Sequence, residues 1–310
     1  MAAGPGLQTN FADFFGTAAL PVLEEVFKSE AEMTPMKRDI VGKVVSHDRE
    51  IYQYTEWHDL PKAISINENA SYTYYRPVQG YDKTLSVVKY GLGLSFSEEL
   101  FEDAKWDIVQ DSVRKMAVSC KATQEGNFWD LFNNGFGSTT TGDGLALFHA
   151  AHTTPSASYT IRNKPSTNAD LSATSLAAAI GDFESVFVGD SNIIHVYQPK
   201  YLVVPSGLRM YAKELVGSEL KPDTADNNMN SIKGEGLTVV SSPYLTDTDA
   251  WFLCADPSVT GLRIIARKPI ETKAAGGDAG FDTDVIKYKA RFREQVGAFH
   301  PMGVFGSAGA

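Results

Sequence analysis

Residues 88–132 read VKYGLGLSFSEELFEDAKWDIVQDSVRKMAVSCKATQEGNFWDLF, and the change of period inside them decides the fold. Val88, Tyr90, Leu92, Leu94 and Phe96 alternate strictly, the signature of a strand with one covered face. Beyond them Leu100, Ala104, Ile108 or Val109, Val113, Ala117, Cys120 and Phe128 recur at helical spacing and trace one apolar stripe. Asp111, Arg114, Lys115, Lys121 and Glu125 decorate the other side. Ser95 and Glu98 form an S-x-x-E capping box at the junction, and Asn133, Asn134 and Gly135 end the run with residues that tolerate positive φ. A helix of about 35 residues, Glu98 to Phe132, reaches roughly 50 Å, more than the width of a small domain. Such a rod serves a shape rather than a pocket.

On its N-terminal side, Arg49 to Phe96 is strand territory rich in tyrosine. Ile51, Tyr52 and Tyr54 are followed by Ile64 and Ile66, then by Tyr72, Tyr74 and Tyr75, with Pro61, Asn67, Asn69, Pro77, Gly80 and Asp82 as punctuation. The pattern predicts a two- or three-stranded antiparallel ribbon with turns near Asn67–Ala70 and Gln79–Asp82. A lone ribbon is marginal in water, and tyrosines offer the amphipathic area enriched at interfaces. Tyr52, Tyr54, Trp57, Tyr72, Tyr74 and Tyr75 are therefore candidate intersubunit contacts. So are Phe11, Phe14 and Phe15, which crowd a Gly- and Ala-rich N-terminal arm that a partner surface would cover. Val22, Leu23, Val26 and Phe27 predict a short amphipathic helix within Pro21–Lys28.

On the C-terminal side, helix-like runs at Leu171–Phe187 and Gly207–Val216 alternate with strand-like runs at Tyr201–Val204, Leu237–Val240 and Trp251–Cys254. A polar loop covers Lys221–Asn230. Two further strands, Leu262–Ala266 and Val285–Val296, flank a Gly-rich turn at Gly276–Gly280.

A net charge of -10, from 38 acidic and 28 basic residues, argues against a dominant grip on nucleic acid, which needs clustered Lys and Arg. Cys120 and Cys254 are too few for a disulfide framework or a thiolate zinc site, which fits a reducing, cytoplasmic origin. No secretory signal opens the chain, and no apolar run approaches the roughly 20 residues that span a bilayer.

Chemistry is sparse. His149 and His152 lack the glutamate and spacing of a zinc-protease helix, and the loop Gly137–Gly142 lacks the Gly-Lys-Ser/Thr ending of a phosphate cradle. Ser206 lies outside any G-x-S-x-G frame and reads as a helix N-cap. Asp247 and Asp249, like Asp282 and Asp284, have the spacing of calcium loops without the glycine and terminal glutamate. Cys120 reads as a small core hydrophobe. The expectation is no enzyme, no cofactor and no metal. A hydrolase using Ser206 with one of the six histidines is the weakest alternative.

In order, the arm, ribbon, long helix, α/β half and returning strands resemble the Hong Kong 97-type major capsid protein of tailed bacteriophages, and more narrowly the Mu-like major head subunit group. The stretches that carry the resemblance are Ala146–His152, Tyr201–Leu208, Gly236–Leu245 leading to Trp251–Leu253, and Arg291–Phe305. It implies an α+β Hong Kong 97-like capsid fold with five parts. These are the N-terminal arm and short helix (1–48), an extended β-hairpin loop (49–96), a peripheral domain with the spine helix (97–169), an apical domain (170–257), and return strands of the peripheral domain (258–310). It further implies self-assembly into hexamers and pentamers of an icosahedral shell around double-stranded DNA, with no specific DNA binding and no membrane. Neighbouring capsomers, portal, scaffold or decoration proteins are the implied partners, and a virion made in the bacterial cytoplasm the implied location. Because the chain starts directly with the arm, scaffolding is expected to be separate or unnecessary. Lys62 and Lys83 lack a nameable crosslinking mate. An encapsulin-like nanocompartment, which shares the fold, is the alternative; it would need a cargo groove near the N-terminal helix.

Overall fold

The computed structural model describes residues 20–97, 99–100, 106–156, 159–189, 191–220, 229–274 and 285–310. The expected contacts Phe11, Phe14 and Phe15, the start of the long helix at Glu98, the turn at Gly276–Gly280, most of the loop Lys221–Asn230, and Asp282 and Asp284 lie outside these residues. The chain forms two compact units, described separately below.

The first unit contains 20–36, 88–124 and 266–294. Its helix α1 (Leu20–Met33) extends beyond the expected Pro21–Lys28 and buries Leu23 and Phe27 of the four apolar residues read from the sequence, whereas Val22 is exposed. Strand β4 (Val88–Ser97) pairs antiparallel with β11 (Val285–Ala298), setting Phe96 opposite Ile286, Leu94 opposite Tyr288 and Tyr90 opposite Phe292. The strict alternation of β4 therefore builds a sheet with the C-terminal return strands and not a third strand of the hairpin. Ser95 sits inside β4 opposite Lys287, so it does not cap the helix. Its strand hydrogen bonding takes precedence over the local S-x-x-E pattern. The spine helix α3 (Trp106–Asn133, 28 residues) contributes Val109, Val113, Met116, Ala117 and Cys120 to the core formed with Leu23, Phe27, Phe96, Tyr288, Ala290 and Phe292. The stripe runs through Val109; Ile108 is exposed.

The second unit contains 37–87, 125–265 and 295–310. Its main sheet has the order β12 (Val304–Ser307), β9 (Trp251–Cys254), β7 (Tyr201–Pro205), β8 (Thr238–Ser242), with only β7 and β8 parallel. Alternate residues of β7 enter different cores, which explains its unbroken apolar sequence. Leu202 and Val204 face α4 (Ala173–Ser185) and α5 (Arg209–Gly217) together with Leu176, Phe183, Ala212 and Leu215. Val203 faces the end of the spine helix with Phe128, Trp129, Phe132, Phe148 and Phe252. Helix α4 opens with a reciprocal capping box between Ser172 and Ser175. Helix α5 follows a 3-10 turn, Ser206–Leu208, and Ser206 makes no capping bond. The turn shifts the helix start to Arg209 and leaves the expected N-cap exposed.

Glu125, expected on the solvent side of the helix, is buried. Its carboxylate accepts from the backbone N–H of Lys37 at 2.5 Å and of Arg38 at 3.1 Å, and from Trp129 Nε1 at 2.5 Å. Three donors, two of them opening the short helix α2 (Arg38–Val41), replace the water it loses. Cys120 and Cys254 are buried free thiols, and burial raises the pKa of both.

The ring of Phe252 lies 5.1 Å from those of Phe132 and Phe148 and 6.0 Å from that of Phe136. Gly306 makes room for it, since a Cβ there would come within 2.7 Å of Phe252. Phe252→Ala should cost about 3–5 kcal/mol of stability in urea unfolding, the range for a buried aromatic lost from a close-packed core. A loss under 1 kcal/mol would mean that the cluster is not a core.

Candidate assembly interface

The hairpin strands β2 (Ile51–Trp57) and β3 (Gln79–Ser86) pair antiparallel with Ile51 opposite Ser86 and Tyr54 opposite Lys83, and the register slips between Thr55 and Trp57. The turn at Asn67–Ala70 is present: Ala70 N–H donates to Asn67 O at 3.1 Å and Asn69 has φ of 65°. The turn expected at Gln79–Asp82 is not, because those residues belong to β3. Asp82 instead accepts from Thr55 across the ladder and from Gln79, each at 2.5 Å. His58 N–H donates to Val78 O at 3.0 Å and closes the neck of the loop 58–78, which contains no strand.

The base of the hairpin is fastened to its own unit. Tyr52 and Tyr54 set their rings 5.6 and 5.2 Å from that of Phe299, and Leu85 joins them around Val87 and Ile265. Arg263 lies 5.3 Å over the Tyr54 ring. Lys83 donates to the carbonyls of Thr140 and Ala298, the latter at 2.8 Å. Burial lowers its pKa against the opposing pull of Asp143. Tyr81 Oη bonds Thr153 Oγ1 at 2.9 Å. Asp59 bonds His195 at 2.9 Å, and Gly189 permits that approach: a Cβ there would lie 1.7 Å from the Asp59 carboxylate.

The candidate contacts therefore divide. Tyr52 and Tyr54 are half-buried against Phe299, whereas Trp57, Tyr72, Tyr74 and Tyr75 are exposed, Tyr74 at 90%. Leu60, Ile64, Ile66 and Val78 are exposed beside them. The sequence reading missed the fastening roles of Phe299 and Lys83: Phe299 lies more than 200 residues from the hairpin, and the carbonyls that Lys83 of β3 reaches belong to Thr140 and Ala298, 57 and 215 residues on. A cluster of exposed apolar side chains on one loop is the usual mark of a protein contact.

Among the described residues the histidines and acids singled out in the sequence are held in structural contacts. His152 is fully buried and bonds Asp143 at 2.7 Å. Burial works to raise the Asp143 pKa, but hydrogen bonds from His152, Thr141 and the Leu145 backbone outweigh it and hold the carboxyl below its usual range. His149 Nδ1 accepts from Ala151 N–H at 3.2 Å. Asp247 caps the Asp249 N–H in an exposed turn. Among the described residues no group of three or more His, Cys, Asp or Glu could hold a metal, and no helix is long and apolar enough to cross a membrane.

The chain belongs to the phage capsid protein family, whose model matches residues 80–306. No curated protein matches its sequence. Among solved structures it is similar to the capsid of the cyanophage P-SCSP1u, at 9% identity over 89% of this chain and 88% of that one, with a TM-score of 0.60. It is also similar to a virus-like particle from Pyrococcus furiosus (9% identity, 94% and 99% covered, TM-score 0.56). A third is that of Microbacterium phage Oxtober96 (13% identity, 89% and 92% covered, TM-score 0.56). The fold is thus the Hong Kong 97-like one. Family and fold together make this a major capsid protein of the tailed-phage type, a structural protein of the virion.

Beside Tyr54, His300 is buried, and burial together with the charge of Arg263 lowers its pKa to about 4. The unfolded imidazole takes up its proton near pH 6.5, so between about 6.5 and 4 the unfolded chain binds more protons and stability falls as the pH drops. The shift corresponds to on the order of 3 kcal/mol. His300→Gln should flatten this decline in urea unfolding measured across that window. Asp143, with its lowered folded pKa, should add a loss only below about pH 4. An unchanged slope in the variant would show that another group sets it.

Proposed function

We propose that this chain assembles into hexamers and pentamers that close an icosahedral shell around double-stranded DNA, with the loop 58–78 laid over a neighbouring subunit. The observation that carries the reading is the contrast within one hairpin, whose base is locked by Phe299 and Lys83 while Trp57 at the end of β2 and Tyr72, Tyr74 and Tyr75 of the loop stand in solvent. Tyr52 and Tyr54 brace the stalk, and the other four make the contact. Phe11, Phe14 and Phe15 of the N-terminal arm serve a second contact of the same kind. Head-to-tail contacts close into rings when the rotation between copies allows it, which suits a shell of repeated subunits. The motifs at 146–152, 201–208 and 236–245 support a place beside the Mu-like head subunits. Synthesis in the bacterial cytoplasm, with portal, scaffold or decoration proteins as further partners, completes this reading.

In negative-stain microscopy with light scattering, the purified protein should give closed shells or rings of five and six. The triple variant Tyr72→Ser, Tyr74→Ser, Tyr75→Ser should stay monomeric at the same concentration. Its melting temperature should be nearly unchanged, since exposed substitutions usually alter stability by about 0.5 kcal/mol or less. Shells formed equally well by the variant would refute the role of the loop. Nuclease-protected DNA inside the particles would support the capsid reading; enclosed protein would favour an encapsulin-like compartment.

A further inference from the structure

We propose that the outer face of the β4–β11 ladder is a phosphate-contact strip for duplex DNA. In the register of the two strands, Lys287, Lys289, Arg291 and Arg293 face Ser95, Gly93, Gly91 and Lys89, so all five cations share one face. The residues between them, Tyr288, Ala290 and Phe292, point the other way into the core. Lys273 of β10 (Leu262–Ala274) lies against Lys287 and Lys289, lining with Gly93 an open groove of about 390 Å³.

Charge and shape both favour an anion. In a chain whose net charge is -10, this face carries six cations, and among the described residues of its three strands the carboxylates are Glu271, engaged by Arg291 at 3.3 Å, and Glu294, which is buried and accepts from Gln124 at 2.9 Å. Lys287 and Lys289 are exposed, and among the described residues neither has an ion-pair partner. The Nε donors of Arg291 and Arg293 are buried and meet no acceptor among the described residues. Gly91 and Gly93 leave the stretch of β4 between Lys89 and Ser95 without side chains on this face, and the fold does not force this. The nearest atoms to an added Cβ would be 3.4 Å away at Gly91 and 3.8 Å at Gly93, ordinary contact distances. The floor is therefore open to a bulky ridge.

The length of the row suits duplex DNA. Alternate residues of an antiparallel strand repeat every ~6.8 Å. The four cations of β11 therefore extend over about 20 Å, comparable to the width of a duplex, so the row can meet several phosphates at once. Such contacts carry no sequence information, and they allow DNA to be held loosely by a protein that is acidic as a whole. The choice of DNA over another polyanion rests on the capsid reading.

The test is fluorescence anisotropy of a labelled 20-base-pair duplex titrated with the full-length protein at several salt concentrations, alongside light scattering of the same samples. The wild type should bind at low salt and lose affinity as salt rises. Lys287→Gln/Lys289→Gln should bind roughly tenfold more weakly at low salt, with the slope of log affinity against log salt reduced by about 2 and particle formation unchanged. Affinity and slope equal to wild type, or no wild-type binding at low salt while particles form, would overturn the strip. Loss of particles with DNA binding intact would assign the face to contacts between copies and overturn it too. Failure of the wild type to form particles would count against the capsid reading, independently of the DNA result.

Discussion

The packing of Tyr52, Tyr54 and Leu85 onto Phe299 is the interaction on which the presentation of the hairpin depends. A two-stranded ribbon has too little buried surface to hold its own shape. Here one face of the ribbon is covered by a residue from the far end of the chain. Lys83 adds two carbonyl contacts from beneath, and Asp59 adds a third tie through His195. The order of the stalk lets the loop beyond it keep its aromatic side chains in water without collapsing onto the same chain. Surface that is costly in a monomer becomes useful in an assembly, because the entropy of holding it in place has already been spent in folding.

The distribution of charge follows the same division between what the chain keeps for itself and what it offers to others. Buried ionic groups are consumed internally: Glu125 of the spine helix joins three donors, two of them at the start of α2, and Asp143 with His152 braces the segment beneath Lys83. Neither arrangement leaves a reactive group open to a substrate. The outward cations of β11, by contrast, are spaced by the strand and have few internal partners.

Much of this architecture is legible in the sequence, and the errors share a cause. The amphipathic stripe of the spine helix, the apolar runs of β7, β8 and β9, and the Asn67–Ala70 turn express local preferences that the fold obeys. Period and turn chemistry reveal that an element exists; they do not reveal its partner. The alternation at Val88–Phe96 reads as a third hairpin strand, but its mate is β11, nearly 200 residues downstream. Gly80 and Asp82 look like a turn until Pro155 is found against Gly80 and Thr55 across from Asp82. Glu125 looks solvated because its three donors come from a loop some 90 residues earlier and from a tryptophan one turn on. The aromatic content of the hairpin was visible, but its division into bracing and presenting residues was not, because that division is made by Phe299.

The most direct test of this account is a high-resolution electron cryomicroscopy reconstruction of the assembled particle, read at loop 58–78. The account predicts that Tyr72, Tyr74 and Tyr75, open to solvent in the single chain, are buried against a second copy, with Tyr52 and Tyr54 still seated on Phe299. A particle in which that loop stays in solvent, or in which the stalk leaves Phe299 to make its contacts, would contradict it.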